Sequence, residues 1–253
     1  MRINFVLNPD FESYREQLLE MLKDFDTQGE YVTKGKRNTI KKISVNGTVF
    51  NTKQFKNPGW FNAFVYKYLR AGKAKRSYEY ANYLIKSGLQ TPTPVAYYEE
   101  LNAGLGESFY ISVHLEYDFD FRDLIHNPGW PERELILRQM TAFTYKLHEN
   151  QIVFQDHSPG NTLIKKESPG SYQFYLIDLN RMRFKKLSLK ERLHNFRRLW
   201  LSKTMIRIMA KEYASLYGAS PQLTEALLSE SSRSFQRKKI KKKRCKQRFK
   251  KMF

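Results

Sequence analysis

The stretch "FQDHSPGNTLI", residues 154–164, places Asp156 five positions before Asn161 in a loop rich in turn-forming residues. A second apolar run, "FYLIDLN" at residues 174–180, brings another aspartate, Asp178. Carboxylate and amide oxygens are hard ligands suited to magnesium and to phosphoryl transfer. The pattern therefore predicts a loop and a strand end that bring three oxygen donors around one phosphoryl group.

The Asp-to-Asn interval is that of the protein-kinase catalytic loop, H-R-D-x-x-x-x-N. Here Phe154 and Gln155 replace the His and Arg, and "DLN" replaces D-F-G. The interval alone does not discriminate, because an ordinary solvated turn around Asp156, Gly160 and Asn161 has the same composition. The flanking sequence favours the catalytic loop, since an amphipathic helix ending in "KLHEN" precedes it and an apolar strand and a hairpin follow.

A strand upstream carries a candidate phosphate-binding lysine. In "TVFNTKQFK", Val49, Asn51, Lys53 and Phe55 share one face of a predicted strand. A lysine among apolar neighbours is costly to bury unless it meets an anion. Lys53 is therefore predicted to bind nucleotide phosphates, and the alternative is an edge-strand lysine that reaches water.

The helix predicted over "GKAKRSYEYANYLIKSG", residues 72–88, carries one acid, Glu79, which is the candidate ion-pair partner of Lys53. The alternative is that Glu79 pairs with a neighbouring helix residue such as Arg76. The chain has no G-x-G-x-x-G motif. Gly35, in "KGKRN" of the first hairpin, and its neighbours are therefore expected to cover the phosphates.

Hydrophobic periodicity separates a sheet-rich first half from a mainly helical second half. In the first half we predict a helix over residues 8–25, three antiparallel strands within 29–56 with a tight Asn46-Gly47 hairpin, helices over 59–70 and 72–88, and two strands before 117. In the second half we predict a helix over 131–150, a β-rich insert over 152–184, and helices over 188–218 and 221–232.

This order predicts an α+β fold of two lobes. The N-terminal lobe, residues 1–116, would hold a small antiparallel sheet, and the C-terminal lobe, residues 117–230, would be helical and hold the catalytic loop. The chains of the two lobes meet near Glu116 to Asp118. Residues 231–253 form a basic tail that we expect to be disordered or in contact with a membrane.

Charge is the most unusual bulk property. The 253 residues carry a formal charge of +20, and 12 basic residues with no acidic one lie between Arg233 and Lys251, which leaves about +8 elsewhere. Such a tail attracts polyanions, and we expect an anionic membrane surface, with a solvated tail as the alternative. No nucleic-acid-binding module is visible, so nucleic acid is not an expected partner.

Other residue types exclude several classes of site. The single cysteine, Cys245, permits no intrachain disulfide, and the five histidines lack metal-ligand spacing. His157 either contacts substrate or packs its loop. Neither a signal peptide nor eighteen consecutive apolar residues is present, so we expect a cytoplasmic protein.

Five segments in order resemble one known family. They are "TKQFKNPGWFN", "GKAKRSYEYANYL", "GLQTPTPVAYYEE", "KLHENQIVFQDHSPGNTLI" and "YLIDLNRMRF". The chain resembles, from about residue 31 to 184, the bacterial lipopolysaccharide core kinases, the Kdo/heptose kinases of protein-kinase-like fold, and in particular their Bacteroidetes-type branch.

The resemblance implies ATP- and magnesium-dependent phosphorylation of an inner-core sugar hydroxyl. The acceptor would be a lipopolysaccharide precursor of the Kdo-lipid A type, met at the cytoplasmic face of the inner membrane, with no obligate protein partner. The implied roles are phosphate binding for Lys53, its ion-pair partner for Glu79, catalysis for Asp156, magnesium binding for Asn161 and Asp178, and nucleotide contacts for Gly35, Glu116 and Tyr117.

Two other functions remain open at this point. One is a small-molecule or protein kinase of related fold that acts on another hydroxyl. The second is a catalytically inactive pseudokinase that binds polyanions through its basic tail. Retention of Lys53, Asp156, Asn161 and Asp178 together argues against an inactive site.

Overall fold

A computed structural model describes residues 2–35, 38–56, 71–101 and 105–252. The chain divides into two compact units, Met1–Glu116 and Tyr117–Phe253. The division falls at the residue where the sequence analysis places the end of the first lobe. Residues 231–253 are not a separate region, because they belong to the second unit.

The first unit contains a six-stranded antiparallel sheet in the spatial order β1-β5-β6-β4-β3-β2. Its strands are β1 (Arg2–Leu7), β2 (Glu30–Lys34), β3 (Asn38–Val45), β4 (Thr48–Phe55), β5 (Pro94–Leu101) and β6 (Leu105–Val113). The sequence analysis missed β1, which pairs along β5 at the edge of the sheet. Only Leu7 of β1 is buried, so backbone pairing holds the strand and the residue pattern does not reveal it.

The hairpin between β3 and β4 turns at Asn46 and Gly47, as predicted. Both residues have positive φ, 49° and 79° respectively. Two consecutive residues of positive φ are what a two-residue type I′ turn requires, and Asn-Gly meets this requirement with little strain. The turn sets the register in which Ile40 of β3 lies opposite Lys53 of β4.

The helices of this unit are a 3-10 helix (Pro9–Tyr14), α1 (Arg15–Lys23) and α2 (Lys73–Lys86). The predicted first helix thus begins as a 3-10 turn, and Phe11 within it has a non-helical φ of −114°. Helix α2 matches its prediction and is followed by Gly88 at a φ of 67°. The helix predicted over residues 59–70 lies outside the described residues.

Apolar side chains are buried on both faces of the sheet. On one face, Leu18 of α1 packs in a cluster with Phe50 and Phe109. On the other face, Phe55 of β4 packs with Ala74 of α2. Because side chains alternate along a strand, Phe50 and Phe55 of β4 point to opposite faces.

A buried lysine closes the turn that follows α1. Lys41 is 1% exposed, and its Nζ donates to the carbonyl oxygens of Phe25 at 2.6 Å, Asp26 at 3.0 Å and Gln28 at 2.8 Å. An ammonium group has three donors, so these bonds satisfy all of them. Lys41 thereby links β3 to the end of the first helical segment.

The second unit combines short antiparallel strands with helices. Its strands are β7 (Phe119–Asp120), β8 (Ile152–Phe154), β9 (Thr162–Ser168), β10 (Ser171–Leu176) and β11 (Met182–Phe184). Its helices are α3 (Phe121–His126), α4 (Arg133–Glu149), α5 (Leu189–Asn195), α6 (Lys203–Tyr217) and α7 (Pro221–Met252), with 3-10 helices at Pro159–Asn161 and Phe196–Leu199. The core includes Met140, Phe196, Met209, Tyr213 and Leu228.

Helix α7 corrects the expected disordered tail. It continues without a break through the basic residues to Met252. Neither Gly nor Pro follows Pro221, and Lys, Arg and Gln are good helix formers. The first half of α7 is anchored by buried Leu228 and Ser232, whereas every residue from 237 to 249 is exposed.

None of the helices in the described residues is both long enough and apolar enough to cross a membrane.

Candidate active site

The loop after β8 is held at both ends. Strand β8 pairs with β11, and Gln155 N donates to Arg181 O at 3.0 Å just beyond the ladder. At the other end, the 3-10 helix Pro159–Asn161 leads directly into β9. The loop that contains Asp156 is therefore fixed between two strand pairs of the second unit.

The five-residue interval between Asp156 and Asn161 has a local structural basis. Asn161 Nδ2 donates to the carbonyl oxygen of Asp156 at 2.8 Å, and Ser158 N donates to the same oxygen at 2.6 Å. The amide of Asn161 therefore closes the loop with its nitrogen. This orientation leaves Oδ1 of Asn161 as the atom available to a cation.

Asp178 is tied to the same loop. Ile177 N donates to Asn161 O at 3.0 Å, which joins the end of β10 to the loop. Asp178 itself lies in the left-handed region, with φ of 59°, a conformation that Asp and Asn adopt more readily than other non-glycine residues. Asn180 Nδ2 donates to Asp178 Oδ1 at 2.7 Å. Asn161 and Asp178 are thus neighbours in space, as the sequence analysis predicts.

Arginines surround the loop. Arg198 Nη2 lies 2.7 Å from Asp156 Oδ1, and Arg181 Nη1 lies 3.9 Å from Asp156 Oδ2. The guanidinium of Arg122 lies so close to Gly160 that a Cβ added there would be 3.2 Å from its Cζ. Arg122 is itself bound by the carboxylate of Asp120, so its charge is compensated there.

His157 packs the loop and does not face solvent. It is fully buried, its ring contacts those of Phe154 and Phe196, and neither ring nitrogen has a hydrogen-bond partner among the described residues. Burial lowers the pKa of His157 to about 3. The residue is therefore a neutral packing element, which corrects the possibility of substrate contact.

Lys53 lies in the first unit, in an interior strand. Strand β4 pairs with both β3 and β6, so the alternative of an edge-strand lysine is wrong. Lys53 is 9% exposed, and its Nζ lies 5.2 Å from the ring centroid of Phe55. It shares its sheet face with Phe55, which packs against Ala74 of α2.

Helix α2 carries Glu79, whose Oε1 lies 3.7 Å from Lys75 Nζ. Glu79 and Lys75 therefore form an ion pair within α2. A second acid, Glu99 of β5, was not identified from sequence. It is 4% exposed, burial raises its pKa, and its Oε1 accepts from Lys75 N at 3.2 Å.

Glu99 acts as the cap that α2 lacks in its own sequence. Gly72 at the N-cap has no side chain, and the first turn has no acid. The carboxylate reaches from the neighbouring strand so closely that a Cβ on Gly72 would lie 1.9 Å from Glu99 Oε1. A carboxylate at a helix N-terminus is favoured by the unpaired amides and the helix dipole.

The three remaining nucleotide candidates lie in the first unit or at its boundary. Gly35 N donates to Asn38 O at 3.0 Å, and residues 36 and 37 beside it lie outside the described residues. Glu116 is 86% exposed and lies 3.1 Å from His114 Nε2. Tyr117 is 45% exposed.

Comparisons with known proteins identify the family. The sequence matches the family profile described as "Lipopolysaccharide kinase (Kdo/WaaP) family" over residues 53–219. The chain belongs to this lipopolysaccharide kinase family. It is therefore a phosphotransferase by family.

A solved structure supports the fold. The chain is similar to "WaaP in complex with acyl carrier protein", with a TM-score of 0.65 and 17% sequence identity, over 94% of this chain and 99% of that chain. The predicted protein-kinase-like α+β fold is thus confirmed. No curated protein matches the chain.

The donor set fits the divalent cation that kinases of this family in general require. Asn161 offers an amide oxygen and Asp178 a carboxylate, and both are hard ligands of the kind magnesium prefers. No cluster of three or more His, Cys, Asp or Glu side chains suited to a metal occurs among the described residues. Two protein ligands are nonetheless enough where nucleotide phosphates complete the shell, since magnesium is commonly held by one or two protein groups.

The arginines beside Asp156 were not predicted from the sequence. Arg181 lies three residues after Asp178, and this proximity was a usable signal. Arg198 lies 42 residues after Asp156, in "NFRRLW", where no motif distinguishes it from its neighbour Arg197. Its place at the loop follows from the packing of the Phe196–Leu199 turn and not from a local pattern.

Proposed function

We propose that this chain transfers the terminal phosphoryl group of ATP to a sugar hydroxyl, of Kdo or heptose, in the inner core of a lipopolysaccharide precursor. One observation carries the proposal. Asn161 donates to the backbone of Asp156 and accepts from the backbone of Ile177, next to Asp178, and all three candidate residues lie inside the region that the family profile matches.

Asp156 would accept the proton of the attacking hydroxyl. Its Oδ1 is held by Arg198, and Oδ2 lies 3.9 Å from Arg181, beyond hydrogen-bond distance. Oδ2 is therefore the oxygen we assign to the acceptor hydroxyl. Because the transition state of phosphoryl transfer is loose, the protein contributes position and compensating charge more than proton removal.

The other candidate residues would bind the nucleotide and its metal. We assign phosphate binding to Lys53, its orientation to Glu79, further nucleotide contacts to Gly35, Glu116 and Tyr117, and metal binding to Asn161 and Asp178. Bound magnesium would neutralise charge on the phosphates. Arg181 and Arg198 add positive charge beside Asp156.

The exposed end of α7 would hold the enzyme at its substrate. Residues 237–249 are all exposed and mostly basic, and each lysine or arginine near an anionic surface contributes about 1 kcal/mol of attraction. We therefore place the protein in the cytoplasm, peripheral on the inner face of the inner membrane. We expect neither nucleic acid nor an obligate protein partner, so the purified chain should be active alone.

An acceptor screen tests the proposal. Purified protein is incubated with Mg-ATP and a panel of acceptors: Kdo-lipid A, its deacylated form, a heptose-extended core, and unrelated small hydroxyl compounds. Mass spectrometry should show one added phosphate on a Kdo- or heptose-containing acceptor. Phosphate on only an unrelated compound would favour another kinase activity, and ATP binding without any transfer would favour a pseudokinase.

A further inference from the structure

The ion pair between Arg198 and Asp156 joins two distant parts of the second unit. Arg198 lies in the 3-10 helix Phe196–Leu199, and its Nη2 is 2.7 Å from Asp156 Oδ1. Its Nη1 also donates to the carbonyl oxygen of Gln155 at 3.4 Å, a longer contact. One guanidinium therefore contacts both the side chain of Asp156 and the backbone that precedes it.

We propose that Arg198 is a positioning residue that orients the carboxylate of Asp156 for the acceptor hydroxyl. The proposal rests on the proposed function, in which Asp156 receives the hydroxyl proton. Arg198 acts through Asp156 and does not itself contact the reacting atoms. By holding Oδ1, it directs Oδ2 to the acceptor.

The contacts of Asp156 support different roles for its two oxygens, with Oδ1 held by Arg198 and Oδ2 directed to the acceptor. The carboxylate is 19% exposed, so it is largely withdrawn from water that could otherwise fix its orientation. Arg181 is 56% exposed and its Nη1 is 3.9 Å from Oδ2, so it adds charge without a hydrogen bond. The ion pair with Arg198, at 2.7 Å, is the shorter of the two arginine contacts of the Asp156 carboxylate.

The turn that carries Arg198, residues 196–199, is fixed by its own buried residues and by a hydrogen bond to β8. Phe196 and Leu199 are 1% and 0% exposed, so both sides of Arg198 are fixed in the core. Asn195, just before the turn, donates from Nδ2 to Phe154 O at 2.8 Å. Phe154 is the last residue of β8, directly before the catalytic loop. This hydrogen bond therefore links the beginning of the Arg198 turn to the beginning of the catalytic loop.

Helix α7 contacts the two residues that follow the same turn. The ring of Phe235 lies 6.0 Å from that of Trp200, and Gln236 Nε2 donates to Leu201 O at 3.2 Å. Trp200 has a φ of 57°, which ends the 3-10 helix sharply. Packed residues thus fix the position of Arg198. A residue that holds another side chain within tenths of an ångström needs such support.

Three variants of the full-length protein test the proposal. Arg198→Ala should lower kcat about 100-fold, as misplacement of a catalytic group by about 1 Å does, and leave the KM for ATP within about twofold. Arg198→Lys should retain an intermediate kcat, because an ammonium can replace the bond to Asp156 but not the planar pair of contacts. Arg197→Ala is the matched control, since Arg197 donates to His194 O and should leave kcat unchanged.

Added guanidinium ion at low millimolar concentration gives a readout that a merely structural role would not produce. It should restore part of the kcat of Arg198→Ala and none of that of Asp156→Asn. Thermal unfolding of each variant checks that the chain is folded. An unchanged kcat in Arg198→Ala, or an equal loss in Arg197→Ala, would overturn the proposal.

A structural readout separates this proposal from the proposed function. A crystal structure of Arg198→Ala should show the Asp156 carboxylate displaced or in several conformers, whatever the acceptor is. If wild-type protein phosphorylates no lipopolysaccharide acceptor, the proposed function fails while this structural test still decides the role of Arg198. An Asp156 carboxylate in its original place would contradict that role.

Discussion

At the scale of single residues, Lys41 shows how a buried charge can belong to the structure and not to the chemistry. Its ammonium satisfies three carbonyl oxygens after α1. Lys53, one strand away, is also buried, and it shares its face with Phe55 and α2. The two lysines look alike in sequence, so the structural role of Lys41 follows from its three carbonyl partners and not from the residue pattern.

Lys41→Met should destabilise the protein by about 3 kcal/mol. The substitution removes the donor to three carbonyl oxygens, and a buried polar group left without a partner costs about 1–3 kcal/mol. Lys42→Met is the matched control, because Lys42 is half-buried and its Nζ lies 3.8 Å from Glu116 Oε1, at the edge of ion-pair distance. Urea unfolding should show a change of less than about 0.5 kcal/mol for the control. Equal stabilities of the two variants would contradict the assigned role.

His148 makes stability depend on pH. Burial lowers its pKa to about 4, while Nε2 donates to Asn195 Oδ1 and Nδ1 accepts from Tyr213. The unfolded chain, with a histidine pKa near 6.5, binds the proton more readily than the folded chain does. The contribution of neutral His148 to the free energy of unfolding is therefore fully present above pH 6.5. It is lost as the pH drops towards 4, by about 3 kcal/mol in total.

Urea unfolding between pH 7.5 and 4.5 measures this dependence. His148→Asn should unfold with a shallower pH dependence than the wild type, although not a flat one, because buried His157 titrates in the same sense. His126→Asn, at an exposed position, is the control and should retain the wild-type slope. A His148 variant with an unchanged slope would show that another group dominates.

The individual site residues were predictable to different degrees. The candidates Asp156 and Asn161 could be singled out because a loop of fixed length brings its own ends together, and such spacing is visible in the sequence. Asp178 could be singled out because it follows an apolar strand. The contacts of Glu99 and Arg198 could not be predicted, because each reaches its partner from a distant element.

At the scale of elements, long periodic segments were predicted well and short ones were not. Helices α2 and α4 have regular apolar stripes, and the structure contains both. Strand β1 and helix α3 were missed, since an edge strand and a six-residue helix bury too few residues to produce a periodic pattern. The helix predicted over residues 188–218 is interrupted at Trp200, which has a positive φ. Tertiary packing permits this conformation, and the local sequence does not predict it.

The length of α7 changes how the membrane proposal should be tested. A truncation that removes residues 232–253 would delete Phe235 and Gln236, which support the turn that holds Arg198. A truncation that removes residues 238–253 deletes ten basic residues and keeps these contacts. The two truncations therefore separate the charge of the helix from its packing.

Removal of residues 238–253 should weaken sedimentation with anionic vesicles and leave the melting temperature unchanged. The loss should be largest at low salt, because screening already reduces the attraction at high salt. Removal of residues 232–253 should also lower the melting temperature, since packing against Trp200 is lost. Vesicle binding that survives the shorter truncation unchanged would end the proposal of a membrane role for α7.

At the scale of the whole molecule, the sequence resemblance and the family profile agree on the family. The resemblance was seen over residues 31–184, and the profile match extends to residue 219. Similarity to WaaP over 94% of the chain shows that the fold persists at 17% identity. The motifs that identify the family surround the catalytic loop and the phosphate-binding strand, so they do not distinguish Kdo from heptose as the acceptor.

The positive charge of the whole molecule lies partly on the exposed end of α7 and partly around the catalytic loop. Of the formal +20, twelve positive charges lie between Arg233 and Lys251, mostly on the exposed end of α7. The remaining charge, about +8, includes the arginines around the catalytic loop. We expect substrate attraction and membrane attraction to respond differently to salt, since the loop is partly buried and α7 is not.

The central claim is that Asp156 catalyses phosphoryl transfer to a lipopolysaccharide sugar. The most direct test is transfer of radiolabelled phosphate from Mg-ATP to Kdo-lipid A by wild type and by Asp156→Asn, with ATP binding measured for both. The account predicts transfer by wild type, loss of at least about 100-fold in the variant, and ATP affinity within about twofold. Equal transfer by the two proteins would contradict the account.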